Sequence, residues 1–171
     1  MTFAKFARTA LIAAAAAAPL FADAAVYTNG SKTATFDVTL RIVADCTIAV
    51  GNMDFGQNQG VLNSTVTATS SINVTCTNTT PYNLGLNAGT GTGSSGTTRY
   101  LSGTGANTGT VQFMLNQTAG GTPWGNTQGT NTLGSVGTGA QVTHTVYGQI
   151  LAQNTPAPDT YKSTITATVY F

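Results

Sequence analysis

Residues 33–43 alternate without a break: Phe36, Val38, Leu40 and Ile42 fall on one face, Thr35, Asp37, Thr39 and Arg41 on the other. A period of two puts successive side chains on opposite sides of an extended chain, so this stretch reads as a half-buried strand. The same signature recurs downstream. Cys46-Thr47-Ile48-Ala49-Val50 is a short strand, and Met53-Asp54-Phe55-Gly56 ends in a turn. Residues 65–76 supply one or two strands with Ile72, Val74 and Cys76 in phase. Tyr82, Leu84 and Leu86 alternate after Pro81, and Val111–Leu115 is compact. In residues 142–151, Val142, His144, Val146, Gly148 and Ile150 share a face. Residues 161–171 close the chain as a strand with Tyr161, Ile165, Ala167, Val169 and Phe171 in register. No window has the 3.6-residue period of a helix. Short strands separated by turn signals predict an all-β sandwich or barrel.

Composition supports that reading and removes several functions. The 171 residues include 34 Thr and 20 Gly, but only 6% are charged and none is Glu. A net charge of +1 supplies no footprint for nucleic acid and no polybasic membrane patch. One His and scattered acids (Asp37, Asp45, Asp54, Asp159) are poor material for acid–base or metal chemistry, so no cofactor or metal is expected. His144 on the apolar side of its strand reads as a core or edge residue. Gly91-Thr92-Gly93-Ser94-Ser95-Gly96 matches G-x-G-x-x-G literally, yet its flanks are more Gly and Thr instead of a strand and a helix, so it is rejected as a phosphate cradle. There is no G-x-S-x-G elbow. The sequons at Asn63, Asn73, Asn78 and Asn116 carry little weight in a chain this rich in Asn and Thr. Trp124, the sole Trp, is a candidate surface aromatic for stacking on a sugar; the competing reading is an anchor tucked over the end of the sandwich.

The N-terminus reads as an address. Lys5 and Arg8 precede an apolar run over residues 10–21, and Ala22-Asp23-Ala24 offers small residues for cleavage, so residues 1–24 are expected to be a secretory signal peptide and no stable membrane anchor is expected. Without them the charges balance at four against four. Export makes a disulfide available to Cys46 and Cys76, within the chain or between two chains. A metal or redox pair would need closer spacing than this. Closing the loop within the chain stabilises by about 3–4 kcal/mol on the chain-entropy model.

Two strands are conspicuous for having nothing to cover them. One is the alternating stretch at Phe36, Val38, Leu40 and Ile42, behind a polar lead. The other is the terminal strand with Val169 and Phe171. An uncovered apolar edge invites pairing with another chain, which is the physics of strand addition. The sequence resembles the spore coat protein U domain family, whose best-understood members are subunits of archaic (Csu-type) chaperone–usher pili. The resemblance rests on Cys46-Thr47-Ile48, Met53-Asp54-Phe55-Gly56, Ile72-Asn73-Val74-Thr75-Cys76 and Arg99-Tyr100-Leu101-Ser102-Gly103. It continues in Pro123-Trp124-Gly125, Val146-Tyr147-Gly148-Gln149-Ile150 and residues 161–171.

The resemblance implies an incomplete immunoglobulin-like β-sandwich completed by donor-strand exchange. It divides the chain into a signal (1–24), a donor-strand extension (25–45) and a sandwich domain (46–171). Phe36, Val38, Leu40 and Ile42 would be the donor residues. Ile165, Ala167, Val169 and Phe171 would point inward beside the acceptor groove. The implied partners are a periplasmic chaperone, an outer-membrane usher and neighbouring copies, at the cell surface. The alternatives are a coat or matrix protein without an usher, and a carbohydrate-binding module.

Overall fold

A computed structural model describes residues 29–57 and 61–171; the expected signal peptide lies outside them. The chain divides into two units at Leu40–Arg41. Of the first, residues 29–40 are described: they hold no strand and are exposed throughout. The strand expected over residues 33–43 is therefore corrected. A strand exists only where a neighbour accepts its backbone hydrogen bonds, and no described strand pairs with this stretch. Phe36, Val38, Leu40 and Ile42 are 85%, 84%, 85% and 75% exposed.

The second unit is built from nine strands: β1 (Cys46–Val50), β2 (Val66–Cys76), β3 (Pro81–Leu86), β4 (Arg99–Gly103), β5 (Thr110–Asn116), β6 (Leu133–Val136), β7 (Gln141–Ile150), β8 (Tyr161–Lys162) and β9 (Ala167–Tyr170). They form a six-stranded sheet in the order β1-β2-β7-β5-β4-β8 and a three-stranded sheet in the order β6-β3-β9. All pairings are antiparallel. The longest ladder joins β2 to β7, from Val66↔Ile150 to Thr75↔Gln141. Its even-numbered residues in both strands face the core, as the alternation in the sequence requires: Ile72, Val74, Val146 and Ile150 are buried while Thr67, Thr69, Thr143 and Thr145 are exposed.

Opposite them the short sheet contributes Tyr82, Leu84 and Leu86, and β5 adds Val111, Phe113 and Leu115. Burying each such side chain is worth about 1.5–3 kcal/mol. Cys46 stands directly across from Cys76 in the β1–β2 ladder, and the two form a disulfide with an S–S distance of 2.04 Å.

The candidate surface aromatic is also corrected. Trp124 is fully buried, its indole N–H donating to Leu84 O at 2.7 Å and its backbone N–H to Leu115 O at 2.8 Å. A large apolar ring with one donor is best satisfied where a free carbonyl lies inside the core. Two strands, β4 and β6, were not read from the sequence, because Gly, Ser and Thr around them blur any alternation.

Candidate functional site

The three-stranded sheet ends abruptly. β9 pairs with β3 through Asn83↔Tyr170, Leu84↔Val169, Gly85↔Thr168 and Leu86↔Ala167, and among the described residues no strand pairs with its other edge. That edge keeps a row of unpaired backbone N–H and C=O groups. Beside it lies a cavity of about 670 Å³. One wall is residues 50–55, following β1; the other is residues 162–165 with Ala167. The floor is core: Ile72, Leu86, Phe113, Leu115 and Val146.

The first wall is held by shape. Met53 and Phe55 pack across Gly148, where a Cβ would collide with Met53 Sδ and stand 2.9 Å from Phe55 Cζ, so any larger residue would displace them. Phe55 also meets Phe113 edge-on, with ring centroids 6.3 Å apart. At the end of this wall Gly56 takes a φ of 76°, with its N–H donating to Asp54 Oδ1 at 2.8 Å.

The second wall is where the chain leaves one sheet for the other. Residues 163–166 belong to no strand, and side chains from the loop after β3 satisfy their backbone. Thr164 N–H donates to Thr90 Oγ1 at 2.9 Å and Thr166 N–H to Asn87 Oδ1 at 2.9 Å. Gly91 N–H donates to Ser163 Oγ at 3.1 Å. The strand expected over residues 161–171 is thus two short strands in different sheets, a correction that alternation alone does not reveal.

Of the residues expected beside the groove, Ile165 and Ala167 line the cavity and Val169 packs on the core. Phe171 is corrected: it is 58% exposed, one residue past the last ladder position of β9, where no neighbouring backbone holds it. A second cavity of about 620 Å³ shares Asp54 and Phe55 with the first and runs on over Leu62, Val111 and Ile150 toward Tyr161.

Behind the floor sits a cation. Arg99 is completely buried. Its Nη2 donates to Leu86 O at 2.8 Å and Trp124 O at 2.6 Å, and its Nε to Asn87 O at 2.9 Å. Burial pushes its pKa down to about 10; the charge is held by carbonyl dipoles. These bonds fix the end of β3 on which the groove floor and the crossing segment both rest. No pattern of spacing identifies such a residue; an Arg opening a strand in a nearly uncharged chain was the available signal.

No group of three or more His, Cys, Asp or Glu able to hold a metal occurs among the described residues. His144 Nε2 shares a hydrogen bond with the Tyr82 hydroxyl at 2.7 Å, which joins the two sheets. What the site offers is a largely apolar trough beside an open strand edge.

Comparison with known proteins places this geometry. The family model of the Spore Coat Protein U domain matches residues 32–168. No curated protein sequence matches the chain. Among solved structures, a chain of the CsuC–CsuE chaperone–tip adhesion subunit pre-assembly complex from archaic chaperone-usher Csu pili of Acinetobacter baumannii superposes with a TM-score of 0.55 at 20% identity, over 76% of this chain and 40% of that one. The present chain therefore spans well under half of that neighbour. The Hda pilus minor tip subunit HdaB of E. coli gives a TM-score of 0.38 at 16% identity, over 73% of this chain and 79% of its own.

Proposed function

The chain belongs to the Spore Coat Protein U domain family, and from that premise we propose that it is an exported structural subunit of a surface pilus, non-enzymatic, polymerised by donor-strand complementation. The observation that carries the reading is a pair of unmet needs in one molecule. The trough beside β9 lacks a strand, and Phe36, Val38, Leu40 and Ile42 form an apolar stripe that lacks a sheet. Seven residues of extended chain span about 20 Å. A strand laid there gains ladder hydrogen bonds along β9 and buries four large apolar side chains, each worth about 1.5–3 kcal/mol.

In this reading a periplasmic chaperone fills the trough during export, and an outer-membrane usher exchanges its strand for residues 36–42 of the next copy. The product is a fibre at the cell surface serving adhesion and biofilm formation. The acceptor side is formed by Ile165, Ala167 and Val169; the domain runs from Cys46 to Phe171, with residues 25–45 as the extension and 1–24 as the signal. The burial of Trp124 removes the aromatic platform on which the carbohydrate-module alternative depended.

Replacing Val38 and Leu40 by Asp is the decisive experiment. Two charges forced against an apolar floor should abolish fibres in electron micrographs of cells that express the matching chaperone and usher. Fibres of normal length and number would overturn the reading.

A further inference from the structure

Residues 29–171 carry eight fixed charges: Lys32, Asp37, Arg41, Asp45, Asp54, Arg99, Asp159 and Lys162. Four lie in the exposed segment 29–45, and Arg99 is buried. The remaining three are exposed, and each lines one of the two cavities; Asp54 lines both. Apart from Lys162 on β8, no strand exposes a fixed charge. In a molecule covered with Thr, Ser, Asn and Gly, the exposed charges of the described residues are thus confined to the exposed segment and to the rims of the two cavities.

An apolar stripe of Phe36, Val38, Leu40 and Ile42 specifies poorly how far a strand slides. A slip of two residues keeps every apolar side chain on the same face and replaces most of them with another of similar size. The opposite face is not degenerate. Within the alternating stretch 33–43 the one cation is Arg41 and the one anion is Asp37. With the stripe seated downward, both stand at rim level.

On the rim, Asp159 has both oxygens engaged, accepting from Thr160 N–H at 2.7 Å and Gly105 N–H at 3.2 Å. Asp54 uses Oδ1 for Gly56 N–H and stands exposed between Met53 and Phe55, whose side chains pack inward. We infer that an ion pair between Arg41 of one copy and Asp54 of the next sets the register of the inserted strand. This inference rests on the donor-strand reading above. A slip of two puts Thr39 or Val43 opposite Asp54; a slip of four puts Asp37 there, like charge against like. Charge therefore discriminates where the apolar stripe does not.

The test uses the full exported chain and follows the rate of chain-to-chain assembly at low salt. Arg41→Asp alone and Asp54→Arg alone are each expected to slow assembly by about fivefold, the upper range for an exposed pair. The combined R41D/D54R chain should recover the parent rate. The single-variant defects should shrink at about 1 M salt, where screening reaches about 3 Å. Asp54→Asn, which leaves the fold unstrained, should show a smaller defect. Unchanged rates in both single variants, or no recovery in the double one, would overturn the ion pair. Leu40→Asp serves as the separate control. If it blocks assembly while charge reversal does nothing, the strand reading stands and the register inference falls; if it assembles like the parent, both fall.

Discussion

Arg99 and His144 are the two side chains whose pKa burial lowers, and they respond to it in different ways. Arg99 keeps its charge and surrounds it with carbonyls of Leu86, Asn87 and Trp124. Replacing it by Met should leave those acceptors unpaired and cost about 2–4 kcal/mol in denaturant midpoints. Lys in its place, with one compact ammonium instead of a fork, should recover less than half of the loss. His144 instead stays neutral. Desolvation lowers its pKa below the ordinary 6.5, and its Nε2 shares a hydrogen bond with the Tyr82 hydroxyl at 2.7 Å. The unfolded chain then binds a proton that the folded chain resists. Stability is complete above pH 6.5 and declines as pH falls through that value toward the folded one. Urea titrations at pH 7.5 and pH 5 should show this decline, and His144→Gln should flatten it. The position of His144 on a core-facing row was legible from period two. The role of Arg99 was not, because its partners come from the end of β3 and from the distant loop that carries Trp124, which no local pattern brings together.

At the scale of elements, alternation proved a statement about capacity. Residues 66–76 and 141–150 alternate and form the central ladder; residues 33–43 alternate as regularly and form no strand. What separates them is the presence of a partner edge. Alternation is equally silent about sheet identity, so residues 161–171 read as one strand although they cross from one sheet to the other. The crossing depends on Asn87, whose Oδ1 accepts from both Gly89 N–H at 3.1 Å and Thr166 N–H at 2.9 Å. Asn87→Ala should cost about 1–2 kcal/mol. It should also raise amide exchange at residues 164–168 well above that of the β2–β7 ladder. Equal protection in both places would show that the crossing is held by something else.

For the whole molecule, the all-β class, the oxidisable cysteine pair and the two uncovered apolar stretches could be read from residue order. The trough itself could not, since its walls and floor come from segments scattered between Val50 and Ala167. The disulfide ties edge strand β1, whose continuation forms one wall, to β2 across 30 residues. Cys46→Ser with Cys76→Ser should lower stability by about 3–4 kcal/mol on the chain-entropy model. The protease sensitivity of residues 50–57 should rise before that of the central sheet. Uniform sensitivity along the chain would point to global unfolding instead.

The open edge of β9 and the exposed stripe at residues 36–42 are different surfaces, so a contact between them cannot be shared symmetrically by two copies. Such a contact is heterologous, and repeated without ring closure it gives a filament with direction. Counting follows from that geometry. However many copies join, the number of junctions is one fewer than the number of subunits, leaving a single vacant trough at one terminus and a single unused strand at the other. The two termini are chemically unlike, so whatever starts such a filament must differ from whatever stops it.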